Sequence, residues 1–114
     1  MITFSSYTIH VKNLAASLAF YKEALGLVPD SNTADEKCAV LWDGVTQFRM
    51  TLCTDPCPET GCRAAFLSFL ADEAEALRAR HAAMGCLVED ADEGGWLIED
   101  PDGYRIRILP APKP

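Results

Sequence analysis

The sequence lacks the segments that would place a protein in a membrane or export it from a cell. Its 114 residues contain no apolar run of about 18 residues, the length that a membrane-spanning helix requires. Residues 1–4 show neither the charged region nor the apolar region of a signal peptide. We therefore expect a cytoplasmic protein without a membrane partner.

Positive charge is also scarce. Ten lysines and arginines face 17 acids, which gives a formal net charge of −7. Nucleic-acid affinity comes mainly from clustered Lys and Arg, so we expect no nucleic-acid partner. The five cysteines are an odd number and cannot all pair in a closed disulfide scaffold. Free thiols are the expectation; for the cluster of Cys53, Cys57 and Cys62, a zinc site and a Cys57–Cys62 disulfide stay open as alternatives.

Two segments show helical periodicity, and both begin and end in the same manner. In the first, Asn13 is placed to cap the helix and Gly26 to end it in the left-handed conformation. In the second, Asp72 or Glu73 is the predicted cap and Gly85 the predicted end. The apolar positions of the first helix recur at helical spacing on one face, at Leu14, Leu18, Tyr21 and Leu25.

Each predicted helix follows one strand-like segment and precedes others, with turn residues such as Asp43-Gly44 between them. The predicted strands are 7–11, 38–42 and 46–53 in the first half, and 66–70, 86–89, 96–99 and 104–109 in the second. The repeated order predicts two copies of one supersecondary unit within a single domain. Its parts are module one (1–55), a linker (56–61), module two (62–110) and a tail (111–114).

Four short motifs resemble those of the vicinal oxygen chelate superfamily, which includes glyoxalase I, extradiol dioxygenases and bleomycin-resistance proteins. HVKNL at 10–14 and FYKEALGL at 20–27 resemble its first strand and helix, and GGW at 94–96 with DPDGY at 100–104 resembles its last hairpin. The resemblance covers nearly the whole chain. It implies an α+β protein whose two βαβββ modules form curved, cup-like mixed sheets, the glyoxalase/bleomycin-resistance fold, with a ligand site on the concave face.

Enzymes of this superfamily commonly hold a divalent metal through four strand residues. The resemblance carries these positions onto Ser6, Met50, Phe66 and Arg107. None of the four is an ordinary ligand for such a metal, which prefers imidazole and carboxylate groups. We therefore expect no cofactor, as in the bleomycin-resistance proteins.

Alternation of side chains along the strands predicts which residues line the cup. Arg105 and Arg107 occupy alternate positions and are suited to clamp a carboxylate or phosphate, although solvation or pairing with the acids of 89–93 is the alternative. His10 is either structural or a general acid or base, and His81 is expected at the surface of the second helix. The candidate ligand-binding residues are Ser6, Thr8, His10, Phe48, Met50, Phe66, Ser68, Trp96, Arg105 and Arg107.

Three functions remain open, and no catalytic residue is assigned. The leading one is metal-independent sequestration or sensing of an anionic, carboxylate-bearing or aromatic small molecule. The second is a metal-dependent lyase, isomerase or dioxygenase of the glyoxalase type, the only reading that requires a divalent metal. The third is a protein-interaction module. Because each module forms half a cup, we also expect a homodimer.

Overall fold

The chain folds as two units, Met1–Cys62 and Arg63–Pro114. A computed structural model describes residues 7–30, 37–46, 48–54 and 67–112. The predicted linker at 56–61 lies outside these residues. Within the described part of the chain, no helix is long and apolar enough to cross a membrane.

The first unit contains one helix and a four-stranded mixed sheet. Its elements are β1 (Tyr7–His10), α1 (Leu14–Leu25), β2 (Val28–Pro29), β3 (Cys38–Trp42) and β4 (Met50–Cys53). The strand order is β1-β4-β3-β2, with β1 parallel to β4 and the other pairs antiparallel. A parallel β1/β4 pair requires a crossover, which α1 and the first antiparallel strands supply.

The second unit repeats this arrangement. Its elements are β5 (Leu67–Ala71), α2 (Ala74–Met84), β6 (Leu87–Asp90), a 3₁₀ turn (Asp92–Gly94), β7 (Trp96–Glu99) and β8 (Arg105–Pro110). The order β5-β8-β7-β6 again places the first strand parallel to the last. The predicted α+β class and the repeated βαβββ unit are therefore confirmed.

The helices end where the sequence predicts, but their N-terminal caps differ. Asn13 Oδ1 accepts a hydrogen bond from the backbone N–H of Ala16 at 3.0 Å, which satisfies one free donor of the first turn. Gly26 ends α1 with φ of 70°, in the left-handed region. Glu73 precedes α2 with φ of 51° and makes no side-chain capping bond. The second helix therefore begins without the side-chain cap that its sequence suggested.

One face of the first sheet is buried. Ile9, Ala39, Leu41, Met50 and Leu52 are at most 3 % exposed, and Leu52 pairs in register with both Ile9 and Ala39. Helix α1 contacts β4 and contributes the buried side chains of Tyr21 and Ala24 to the core.

The prediction that Met50 lines the open cup is wrong, because its side chain is only 1 % exposed. The sequence placed a strand at 46–53, whereas β4 begins at Met50. Asp43 closes a turn before it, accepting hydrogen bonds from the N–H groups of Val45 and Thr46 at 2.9 and 2.7 Å. The side chain and backbone of Thr46, with the Val45 N–H, hold the pKa of Asp43 below its usual value. β4 then pairs with β1 in the register that sets Met50 beside Tyr7.

The core of the second unit is built around Trp96, Ile98, Ile106 and Ile108, all at most 1 % exposed. These residues share one face of the sheet, since Trp96 pairs with Ile108 and Ile98 with Ile106. His81 of α2 is fully buried and accepts a hydrogen bond at Nδ1 from Trp96 Nε1, at 2.9 Å. The prediction that His81 lies at the surface is wrong. Trp96, a candidate ligand contact, belongs to the core and not to the exposed side of the sheet.

The cysteines also depart from expectation. Cys38 and Cys53, which face each other across β3 and β4, form a disulfide with a Cα–Cα distance of 4.3 Å. Free thiols were expected at both positions, and that expectation is wrong. Cys86 keeps a free thiol, and burial raises its pKa. Cys57 and Cys62, with their zinc and disulfide alternatives, lie outside the described residues.

Candidate ligand-binding faces

The second sheet has a largely exposed face opposite its apolar core. We call this surface the arginine face, because β8 contributes two exposed arginines to it at alternate positions. The register of β5, β7 and β6 against β8 determines the other members. The arginine face consists of Ser68, Leu70, Glu89, Leu97, Glu99, Arg105, Arg107 and Leu109.

A tight turn brings β8 into this position. Asp100, which is 5 % exposed, accepts hydrogen bonds at Oδ1 from the N–H groups of Asp102 and Tyr104 at 2.9 and 2.8 Å. Gly103 occupies the positive-φ position of the turn, at 88°. The DPDGY motif therefore fixes the start of β8, and the strand's alternation then directs Arg105 and Arg107 to one side and Ile106 and Ile108 to the other.

Arg107 is held by a neighbouring side chain. Its Nε donates a hydrogen bond to Ser68 Oγ at 3.1 Å, across the parallel pair of β5 and β8. The guanidinium carries further N–H donors on its two terminal Nη groups. Because Nε–H is directed to Ser68, these Nη groups form the edge that Arg107 can offer to an acceptor. The pairing of Ser68 with Arg107 on one face agrees with the predicted strand alternation.

The acids close to this sheet do not neutralise Arg107. Asp90, one of the predicted partners, instead accepts two hydrogen bonds from Arg78 of α2, at 2.7 and 3.0 Å. Among the described residues, neither Arg105 nor Arg107 forms an ion pair with an acid. Arg105 does face Glu99 in register across β7 and β8, whereas Arg107 faces Leu97.

The first sheet presents a different surface on its less buried side. Thr8 is exposed and His10 is half-buried, and both lie beside the strand that carries Thr51 and Cys53. Its one described arginine is occupied: Arg49 stacks on the Trp42 ring at 4.4 Å from the centroid and lies 3.4 Å from the Asp30 carboxylate. This surface therefore offers polar groups, but the positive charge of Arg49 is already compensated by Asp30.

The candidate residues of the sequence thus separate into groups. Thr8 and His10 lie on the first sheet, and Ser68, Arg105 and Arg107 lie together on the arginine face. Phe48 is half-buried and precedes β4, outside the strands. Ser6 and Phe66 lie outside the described residues. Leu97 and Glu99 were not among the candidates, although alternation along β7 would have indicated both.

The residues at the superfamily's metal positions do not suit a metal. Met50 is buried on the core side of β4, and Arg107 presents a cation where an acidic ligand would be required. The described residues include no group of three His, Cys, Asp or Glu side chains arranged to hold a metal ion. We therefore assign no chemical step to a metal at these positions.

A groove of about 880 Å³ opens elsewhere in the second unit, around the start of α2 and the end of β8. Asp72, Glu73 and Glu75 line it together with Arg78, whose guanidinium is bound to Asp90. Such a lining repels anions.

Comparison with known proteins establishes the family. Residues 6–109 match the family model described as a glyoxalase-like domain, so the chain belongs to this family. Its fold is the glyoxalase/bleomycin-resistance fold that the motifs indicated. Among curated proteins, none matches the sequence significantly.

Solved structures with the same fold include proteins of different activity. TnmS3, an antibiotic-binding protein from Streptomyces sp. CB03234, is similar with a TM-score of 0.75 and 17 % identity, over 98 % of this chain and 100 % of that one. A glyoxalase/bleomycin resistance protein/dioxygenase family enzyme from Burkholderia phytofirmans PsJN gives 0.74 and 18 %, over 93 % and 96 %. Lactoylglutathione lyase from Agrobacterium tumefaciens gives 0.69 and 17 %, over 96 % and 93 %. At such identities the likeness shows the fold alone.

Proposed function

We propose that the chain is a metal-independent binding protein that sequesters or senses a small carboxylate, including an aromatic one, at the arginine face. The observation that carries this proposal is the state of Arg107: exposed, oriented by Ser68, and facing neutral Ser68 and Leu97 in register. Binding by sequestration requires a preorganised surface and no reactive group.

The physical basis is a charge-assisted hydrogen bond. With Nε–H directed to Ser68, the two Nη groups of Arg107 form a planar edge that matches the two oxygens of a carboxylate. Prior orientation by Ser68 reduces the side-chain entropy lost on binding. Because the chain carries a net charge of −7, most of its surface repels anions, and an anion is attracted mainly to local positive groups such as Arg107.

The similarity to an antibiotic-binding protein and to a lactoylglutathione lyase is compatible with a small-molecule ligand. The donor set favours binding over metal-dependent catalysis, because Arg107 is a cation where the resemblance implies an acidic ligand. The homodimer predicted from the half-cup modules is part of this proposal, and sedimentation velocity tests it.

A cytoplasmic location stays a prediction. Disulfides such as Cys38–Cys53 persist more readily in oxidising compartments than in the cytoplasm.

The proposal predicts that the protein distinguishes a carboxylate from its neutral amide. We expect 2-naphthoate to bind about tenfold more tightly than 2-naphthamide, because a charge-assisted hydrogen bond at an exposed site is worth about 1.4 kcal/mol more than a neutral one. Titrations followed by ¹H–¹⁵N NMR measure both affinities and report the Arg107 Nε–H signal directly.

Arg107→Ala is expected to abolish the preference for the carboxylate, so that both probes bind equally weakly. Arg80→Ala is the matched control, because Arg80 is exposed on α2 and should leave the preference unchanged. Equal affinity of the parent protein for the two probes would contradict the proposal, as would a preference that survives in Arg107→Ala.

A further inference from the structure

The arginine face is not uniformly polar. Its residues form three rows across the sheet, each read from the strand register. The first row is Ser68, Arg107, Leu97 and Glu89; the second is Leu70 and Leu109; the third is Arg105 and Glu99.

The positive charge of this face is concentrated on one residue. Arg105 lies opposite Glu99 in register, so a carboxylate on the neighbouring strand lowers the positive potential around Arg105, although the two side chains form no ion pair. Arg107 lies between the uncharged side chains of Ser68 and Leu97. Arg107 is therefore the group that can accept a single negative charge without competition from its immediate neighbours.

Apolar surface adjoins this charge on two sides. Leu70 and Leu109 pair in register, and each lies two residues along its strand from Ser68 or Arg107, a separation of about 7 Å. Leu70 is 65 % exposed, and Leu109 beside it is half-buried. Leu97 lies on the other flank of Arg107. A ligand held at Arg107 can therefore cover apolar side chains that are now in water.

The surrounding acids restrict the ligand further. Glu89 lies beyond Leu97 in the first row, and Glu99 lies in the neighbouring row. Both are exposed carboxylates on the same face as Arg107. Both lie on the side of Arg107 away from Leu70 and Leu109, so they repel an anion from that side and favour a ligand that extends from Arg107 over the two leucines.

From this arrangement we infer that the ligand class is a monocarboxylate with an apolar chain, its carboxylate on Arg107 and its chain over Leu109 and Leu70. This inference rests on the proposed function and makes it more specific. It distinguishes an aliphatic monoanion from dicarboxylates and phosphate, which the two arginines alone would also accommodate.

The test is a chain-length series. Butanoate, hexanoate and octanoate, kept below micelle-forming concentrations, are titrated into the ¹⁵N-labelled protein. We expect affinity to rise about twofold per methylene, less than the roughly fourfold of complete burial, because the face is open on one side. Octanedioate should bind about tenfold more weakly than octanoate, because its second carboxylate would lose hydration over the apolar side chains of Leu109 and Leu70 without a partner of opposite charge.

A variant of the apolar row separates the two parts of the site. Leu70→Ser should flatten the rise in affinity from butanoate to octanoate, with the largest loss of affinity for octanoate. Val28→Ser is the matched control, since Val28 is 40 % exposed on a strand of the other sheet and should preserve the series.

The outcomes of the chain-length series distinguish a failure of this inference from a failure of the proposed function. Carboxylate binding through Arg107 with no dependence on chain length, or a full series in Leu70→Ser, would overturn the inference and leave the proposed function intact. Octanedioate binding as tightly as octanoate would overturn it as well. Equal affinity for 2-naphthoate and 2-naphthamide would instead remove the proposed function, and this inference with it.

Discussion

Replacing Trp96 with alanine is expected to lower the free energy of unfolding by about 3–5 kcal/mol, the range for deleting a large aromatic side chain from a core. The indole is 1 % exposed and packs on the face that also carries Ile98 and Ile108. Its removal leaves a cavity and deprives His81 Nδ1 of the hydrogen bond that it accepts from the indole N–H. Urea denaturation followed by far-UV circular dichroism measures the change without depending on tryptophan fluorescence.

Trp96→Phe separates the contribution of the hydrogen bond to stability from the contribution of the side chain's volume. Phenylalanine retains most of the apolar contact but cannot donate to His81 Nδ1, so a loss of about 1–3 kcal/mol is expected from the unfulfilled buried acceptor and the smaller ring. Trp42→Phe is the control, because Trp42 is only half-buried and its ring lies under Arg49. If Trp96→Ala costs no more than Trp42→Phe, the placement of Trp96 in the core is incorrect.

Loss of the Cys38–Cys53 disulfide is expected to destabilise the protein by about 3 kcal/mol. The bond closes a loop with a sequence separation of 15, and cross-linking a loop of that length restricts the unfolded chain by about this amount. The Cys38→Ser/Cys53→Ser double variant and the reduced parent protein should therefore show a similar fall in denaturation midpoint. Non-reducing peptide mapping should recover the two cysteines in one cross-linked fragment.

The double variant also supplies the control for reduction. Dithiothreitol should lower the stability of the parent protein and leave that of the double variant unchanged. A parent protein that is equally stable with and without reductant would show that this bond does not constrain the chain. A reductant effect in the double variant would assign the stabilisation to other cysteines.

Local signals in the sequence predicted the helices and the arginine face. Asn13 and Gly26 act within one turn of α1, and their effects do not depend on the rest of the fold. The alternation of Arg105, Ile106, Arg107 and Ile108 along β8 follows from strand geometry alone. The amino-acid sequence was therefore sufficient to assign these four residues to opposite sides of the sheet.

The errors concern contacts between residues distant in the sequence. Met50 was assigned to the wrong side because its strand has no motif to fix it and is preceded by an irregular segment. A shift of one residue reverses every side chain of a strand, so the uncertain start of β4 decided the outcome. Only the pairing of β4 with β1 and β3 determines its register.

The disulfide and the buried histidine illustrate the same limit. Cys38 and Cys53 meet because β3 and β4 align in one particular register, which spacing along the chain does not specify. His81 follows Arg78 and Arg80 in the sequence and was predicted at the surface. Its buried Nδ1 instead accepts a hydrogen bond from the indole N–H of Trp96. Neither pairing has a local signature.

The most direct test of metal-independent anion recognition is the affinity for 2-naphthoate before and after complete removal of divalent metals. Isothermal titration of chelator-treated, metal-free protein should give the same affinity as the untreated protein, and added zinc, nickel or manganese should not change it, because Arg107 and Ser68 provide the binding groups. Loss of binding in the metal-free protein, restored by adding one of these ions, would contradict the account.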